Sequence, residues 1–217
     1  MAEQAAAENK ISRSKPPAES QAISAEEYMA TYAHDFHEWV NGEVIKMSPV
    51  SLKHDRLADY LRNLLTAYLA LNPIGQVVAA PFVMRIDITN SRREPDLQVI
   101  LNSNPGELTD IAMVGAADMC IEVVSAESVV RDYGHKFAEY EKAGVQEYWI
   151  IDPLRSLCHF YRLNSDGVYQ DAALDDDGCY QTALLPGLAV EVGLLWHDTL
   201  PGYFEIGKAV QEMLAES

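Results

Sequence analysis

Two acidic side chains sit in strand-like segments where an unpaired charge would be costly. In Cys120-Ile121-Glu122-Val123-Val124, period-two alternation sets Glu122 on the same face as Cys120 and Val124, inside a run that is apolar on both sides. An ionised carboxylate buried there needs a partner, which is a cation, a metal ion or an array of hydrogen-bond donors. A salt bridge to an arginine is the structural alternative to a functional site.

Asp96 poses the same question in a neighbouring segment. Along Pro95–Leu101, Leu97, Val99 and Leu101 form one apolar face and Asp96 points to the other. A lone Pro-Asp pair is more often a strand-entry turn than a metal ligand. Two carboxylates on adjacent strands are a stronger signal, because hard divalent cations take oxygen ligands from rigid elements.

Lys136 is the third candidate. On a predicted helix it lies about 60° from Tyr133 and about 40° from Tyr140, at the margin of the apolar stripe that also contains Phe137. A lone lysine in that position commonly buries its stem and places its ammonium group in water. That alternative weakens when two inward carboxylates lie on the strands that the helix covers.

The elements that position these residues follow from periodicity and turn signals. Helices are predicted at Ser24–Tyr32, which opens with a capping box, and at His54–Leu71, Tyr133–Ala143 and about Tyr203–Leu214. Strands are predicted within Phe36–Ser48, as a hairpin turning at Asn41-Gly42, and at Gln76–Ala80, Phe82–Ile88, Pro95–Leu101, Met119–Ser125, Glu147–Asp152, Leu157–Leu163, Gly167–Ala173 and Leu188–Leu195. Ser91-Arg92-Arg93-Glu94 is predicted to be a charged turn. This order indicates an α+β (mixed α/β) fold with a mixed central sheet, flanking helices and added antiparallel strands.

Composition sets further limits. A chain of 217 residues predicts one domain, spanning residues 21–217, behind an Ala-, Glu-, Ser- and Pro-rich tail, Met1–Ser20, that is expected to be disordered. The tail lacks the apolar stretch of a secretory signal, and no apolar run is long enough to span a membrane. The three cysteines show no C-x-x-C spacing, so neither a disulfide framework nor a zinc site is expected, and the predicted location is the cytoplasm.

The net charge of −17 argues against broad contact with a polyanion. The excess is uneven, because residues 166–217 hold ten acids and one base, whereas residues 43–142 hold fourteen acids and ten bases. Any polyanion is therefore expected to bind to the second region. The bases predicted to gather there are Lys46, Lys53, Arg56, Arg92, Arg93 and Arg131.

Several motifs, in order, resemble one protein family. They are Pro95-Asp96, Ile121–Ser125, Arg131–Lys136 and the long block Tyr140–Pro153, preceded by Asn41–Pro49 and His54. Together they look like the Uma-type "putative restriction endonuclease" family of the PD-(D/E)XK nuclease superfamily. The similarity covers roughly residues 24–195 and implies a restriction-endonuclease-like core.

The resemblance also implies roles. Asp96 and Glu122 become ligands of Mg²⁺ (or Mn²⁺), and Lys136 becomes the catalytic lysine that positions or activates the attacking water. The general E-x-K pattern would put that lysine at position 124, which is Val124, so Lys136 on the following helix takes its place. Glu43 and His54 match family positions and are accessory candidates, with a structural role and a site role both open.

Two functions of different classes follow. The leading hypothesis is a Mg²⁺-dependent endonuclease that hydrolyses phosphodiester bonds in DNA, binds DNA weakly and forms a homodimer. The alternative is a catalytically weak interaction module that keeps the nuclease fold and acts through homodimerisation, which the acidic surface favours. A general acid–base enzyme using His54 or His135 has little support, because the spacing places no partner beside either histidine.

Overall fold

Local capping signals fix where the first two long elements begin. A computed structural model describes residues 22–216, so the expectation for the tail Met1–Ser20 falls outside the described residues. The Ser24 hydroxyl accepts a hydrogen bond from the Glu27 amide, and Ser51 does the same for the His54 amide.

The α-helices are α1 (Ala25–Thr31), α2 (Leu52–Leu71), α3 (Phe137–Ala143) and α4 (Tyr203–Glu216). Within residues 22–216, none of the helices combines the length and apolarity needed to cross a membrane.

The helix that carries Lys136 is built differently from the prediction. Residues Arg131–Lys136 form a π-helical segment that runs directly into α3. Asp132 lies inside this helical segment, with its amide donating to the Ser128 carbonyl. Gly144 ends α3 with a φ of 86°, because glycine adopts the left-handed region without strain.

Fourteen strands are formed within the described residues. They are β1 (His37–Val40), β2 (Glu43–Lys46), β3 (Gly75–Ala79), β4 (Val83–Ile86), β5 (Ser91–Arg93), β6 (Leu97–Leu101), β7 (Glu107–Leu108), β8 (Ala112–Val114), β9 (Met119–Val123), β10 (Glu147–Asp152), β11 (Leu157–Leu163), β12 (Tyr169–Asp171), β13 (Cys179–Gln181) and β14 (Ala189–Glu191). The β1–β2 hairpin turns at Asn41-Gly42, where both residues have positive φ, as a type I′ turn requires.

The strands form two mixed six-stranded sheets and one small hairpin. The first sheet has the order β2-β1-β5-β4-β8-β7, and the second, here called the central sheet, has the order β12-β11-β10-β9-β6-β3. Strands β9 and β10 run parallel, and so do β4 and β8, while the other pairs are antiparallel. The α+β class with mixed sheets is confirmed.

The charged turn predicted at Ser91-Arg92-Arg93-Glu94 is wrong. Ser91–Arg93 forms β5, a buried strand in the middle of the first sheet. Glu38 and Glu139 from distant segments neutralise Arg93, and the nearby Asp87 pairs with Arg92, which allows a charged sequence to be buried. The segment between β6 and β9 contains the short strands β7 and β8.

The central sheet separates two apolar cores. Helices α2 and α4 pack on one face, against Leu97, Val99, Ile121 and Val123 among others. The opposite face meets α3 and part of the first sheet, through residues such as Ile100, Cys120, Val124, Tyr140 and Met84. Alternation along β9 therefore turns Glu122 toward α3 and away from α2.

One glycine allows β3 to approach β6 closely. A Cβ added at Gly75 would lie 2.6 Å from the Ile100 carbonyl oxygen and 2.9 Å from the Leu101 Cα, and neither backbone atom can yield. We expect Gly75→Ala to lower the free energy of unfolding by about 1–3 kcal/mol, the range for overpacking.

Chemical denaturation measures this effect. The matched control is Gly207→Ala in the interior of α4, where an added Cβ meets no atom within 4 Å. That change is expected to stabilise the protein slightly through helix propensity. Equal stability of the Gly75 variant and the parent would contradict the close approach of the two strands.

Candidate active site

Strand register sets the two candidate carboxylates side by side. Strands β6 and β9 pair antiparallel with Leu97 opposite Ile121, and one further step of this register puts Asp96 opposite Glu122. Directly opposed residues have Cβ atoms about 5 Å apart. The Asp96 Oδ2 atom accepts a hydrogen bond of 2.7 Å from the Val123 amide, which ties the two strand ends together. Both carboxylates line one cavity of about 30 Å³.

The ammonium group of Lys136 is fully buried beside them. Its Nζ lies 2.8 Å from Glu122 Oε1, 3.0 Å from Glu38 Oε1 and 3.8 Å from Asp132 Oδ1. Burial alone would lower the pKa of Lys136, but these carboxylates outweigh it and hold the pKa above its usual range. The lysine therefore remains protonated and acts as a fixed positive charge.

Glu38 on β1 is the residue that sequence reasoning missed. It is fully buried, and besides Lys136 it accepts a hydrogen bond of 2.8 Å from Arg93 Nη1 and one of 3.3 Å from the Glu94 amide. Burial raises the pKa of Glu38, but Lys136, Arg93 and Arg131 overcome that effect and lower it to about 2. The sequence contains only an indirect signal for Glu38. If Arg92 and Arg93 are buried, they require carboxylate partners, but no spacing rule identifies those partners.

The two accessory candidates, His54 and Glu43, lie in different places relative to the site. His54 Nε2 lies 3.1 Å from Asp96 Oδ2, and His54 also lines the small cavity. Burial lowers the pKa of His54, while the hydrogen bond to Asp96 and its charge raise it by more. Glu43 is exposed on β2, opposite Val40, and is not among the described residues that line the cavity.

The site holds more carboxylate than its bases neutralise. Burial raises the pKa of Glu122 to about 8; Lys136 opposes this, and the charges of Asp132, Asp96 and Glu38 add to it. Asp132 Oδ1 is buried and accepts no hydrogen bond. A divalent cation between Asp96 and Glu122 would relieve this repulsion, so the donor set fits such an ion.

The protein side chains alone do not complete a metal site. Within residues 22–216, no cluster of three or more His, Cys, Asp or Glu side chains is arranged to hold a metal ion. Mg²⁺ nevertheless binds proteins through one or two carboxylates and retains waters or takes substrate phosphate oxygens as its other ligands. Asp96 and Glu122 match that requirement.

The expectation that Arg92 and Arg93 contribute to a basic rim is wrong. Arg93 is 1% exposed and donates to Glu38 and, at 2.8 Å and 2.6 Å, to Glu139. Arg92 is 6% exposed and pairs with Asp87 at 3.1 Å. Both guanidinium groups neutralise buried or neighbouring carboxylates, so neither is available to contact a substrate.

Other bases remain available near the site. Five basic side chains within residues 22–216 enter no ion pair, and four of them lie at the end of β2 or on α2: Lys46, Lys53, Arg56 and Arg62. Helix α2 also carries His54, and Met47 and Ser48, which follow Lys46, line the small cavity. Arg62 lines a cavity that also contains His54 and Asp96, whereas Lys53 and Arg56 line a separate cavity beside Trp196, so three of these bases share the helix that carries His54 without all lining the site.

Comparisons with known proteins identify the class of protein that has this fold. The structure is similar to the crystal structure of "a putative nuclease belonging to DUF820" from Anabaena variabilis, with a TM-score of 0.66 and 16% sequence identity, over 80% of this chain and 97% of that one. This similarity shows a nuclease-like fold. No curated protein matches the sequence.

A family model then identifies the group. The model of the Uma2 family, described as "Putative restriction endonuclease", matches residues 25–193. The chain belongs to this family, which confirms the resemblance drawn from its motifs. Membership supports a nuclease as the general class of activity.

Glu38 offers a test of the buried charge network. We expect Glu38→Gln to lower the free energy of unfolding by about 3–5 kcal/mol, because it leaves the buried charges of Lys136 and Arg93 without their shared partner. Thermal and urea unfolding measure the loss. The control is Glu212→Gln, whose carboxylate pairs with Lys208 at 3.7 Å on the surface and should contribute almost nothing. Similar stabilities of the two variants would show that Glu38 does not hold the network.

Proposed function

We propose that the protein is a divalent-cation-dependent endonuclease that hydrolyses phosphodiester bonds in DNA, with Mg²⁺ or Mn²⁺ as its cation. The observation that carries this proposal is the convergence of Asp96, Glu122 and Lys136 on one small cavity. Membership in the Uma2 family supports the same reaction class. The acidic composition is the main argument against DNA as substrate, whereas the exposed, unpaired bases on α2 and at the end of β2 support it.

Each residue has a role that follows from its contacts. Asp96 and Glu122 would hold the cation, which supplies Lewis-acid polarisation of a phosphoryl oxygen and a more acidic bound water. His54 and the Val123 amide fix the Asp96 carboxylate. Lys136 is protonated and therefore serves as a hydrogen-bond donor and an electrostatic stabiliser of negative charge, not as a general base.

The substrate's phosphates would run along α2 and the end of β2. Lys46 is exposed at the end of β2, and Lys53, Arg56 and Arg62 are exposed on α2, the helix that delivers His54 to the site. Four bases neutralise few phosphates, so binding is weak, and because those contacts are ionic the affinity falls as salt is added. The homodimer expected from the sequence belongs to this proposal, because two such rims facing one duplex double the local positive charge.

Metal binding is the first test of this function. We expect titration calorimetry to show Mg²⁺ or Mn²⁺ binding to the parent, and we expect Asp96→Asn and Glu122→Gln to abolish both binding and nicking of supercoiled plasmid. The matched control is Asp110→Asn, which changes an exposed acid in a loop and should preserve both. A parent that binds no divalent cation would favour the interaction module, whose activity lies in homodimerisation.

Salt dependence of DNA binding is the second test. We expect duplex affinity, followed by fluorescence anisotropy, to fall steeply with salt, and the double variant Lys53→Gln/Arg56→Gln to reduce the slope by about one unit per removed phosphate contact. Lys142→Gln/Lys208→Gln removes the same charge from exposed positions elsewhere and is the control. Equal slopes for both double variants would place the DNA away from α2.

A further inference from the structure

A second and wider cavity adjoins the proposed metal site. Its volume is about 230 Å³, and it shares His54, Asp96 and Val50 with the small cavity. Ala79, Ala80 and Leu97 form part of its apolar wall. An occupant of this cavity would lie directly beside the carboxylate that is proposed to hold the cation.

Phe36 on the wall of this cavity has a backbone conformation that its side chain does not favour. Its φ is 52°, in the left-handed region that bulky residues rarely adopt, and 51% of the residue is exposed. The Phe36 carbonyl accepts a hydrogen bond of 2.8 Å from the Met47 amide, which holds the strained residue in place. A strained and half-exposed aromatic ring adds little to folding, and such strain is concentrated at ligand-binding positions.

The polar residues of the cavity specify a kind of ligand. Asp55 and Asp59 are exposed on its α2 side, and Arg62 beside them enters no ion pair within the described residues. Two carboxylates disfavour a phosphate inside the cavity. A flat, neutral ring that carries N–H donors satisfies them, and it can stack on an aromatic side chain.

We propose that this cavity binds an unpaired nucleobase next to the phosphate that is cleaved, with the base stacked on Phe36 and an exocyclic amine directed to Asp55 or Asp59. This inference rests on the proposed function for the position of the phosphate at Asp96 and Glu122. A base can enter the cavity only after it has left the helical stack, which is easiest in single strands and at mismatches. The protein therefore prefers single-stranded or mismatched DNA to a perfect duplex, and cytosine, adenine or guanine to thymine.

Binding without cleavage tests the proposal. Anisotropy in the absence of divalent cations compares a short oligodeoxycytidylate with an oligodeoxythymidylate on the full chain. We expect tighter binding of the cytosine strand, and about tenfold weaker binding for Phe36→Gly, the loss typical of one stacked base. Because glycine accepts a positive φ, Phe36→Gly should unfold at the same temperature as the parent or higher. Phe204→Ala, which removes a 90% exposed ring on α4, is the matched control and should bind like the parent.

Photocrosslinking locates the base. With a single 5-iodocytosine in the strand, we expect the crosslinked peptide to contain Phe36. A parent that binds no single strand, a Phe36→Gly variant that binds as tightly as the parent, or a crosslink to a different surface would each overturn the proposal.

Cleavage assays separate this inference from the proposed function. If metal-dependent cleavage occurs equally on single strands and duplexes and is unchanged in Phe36→Gly, the nuclease assignment stands and the base site is overturned. If the parent cleaves no DNA but binds the cytosine strand in a Phe36-dependent manner with the expected crosslink, the base site stands and the nuclease assignment fails.

Discussion

The structure depends on the neutralisation of one buried ammonium group. Lys136 lies between Glu122 on the central sheet and Glu38 on the first sheet, so a single charge joins both sheets and the π-helical segment. Buried charges persist only in networks where each has a partner, because the cost of desolvation is otherwise not offset. Arg93 extends the network from Glu38 to Glu139 on α3. Relative placement of the two sheets is thus set by ion pairing as well as by apolar packing.

The two central carboxylates of this network, Glu38 and Glu122, differ in how far neighbouring cations compensate their charge. Glu38 is surrounded by Lys136, Arg93 and Arg131, and its pKa falls to about 2, so its charge is fully compensated. Glu122 has Lys136 and the Tyr140 hydroxyl, at 2.8 Å and 2.9 Å, but it also faces the charges of neighbouring acids. The arrangement leaves Glu122 as the carboxylate with most to gain from an additional cation. Glu38 therefore serves as a partner in a buried ion pair, whereas Glu122 is the carboxylate that we propose as a ligand for a metal ion.

The sequence predicted the parts of the site that depend on local periodicity. Alternation along Cys120–Val124 placed Glu122 inward, and the aromatic stripe of the helix placed Lys136 beside it. The partners of buried charges were not predictable in this way. Arg93 meets Glu139 and Glu38 across 46 and 55 residues of sequence, and a charged tetrapeptide with such partners looks like an exposed turn. Glu38 was not predictable for the same reason, because its burial results from contact between two sheets and not from a local sequence pattern.

The same constraint determines where DNA would meet the protein. A chain with a net charge of −17 has few bases, and several of them are consumed in the interior. The bases left unpaired near the site are on α2 and at the end of β2, which also supply His54 and the rim of the small cavity. In the proposed complex, phosphates would be attracted to a narrow strip, and recognition of a base would fall to an adjoining cavity that carries both acids and an aromatic ring. Lys136 and Arg93 hold the site together through buried ion pairs. In the proposed complex, the exposed bases would guide the DNA backbone, and the strained Phe36 ring would contact an unpaired base.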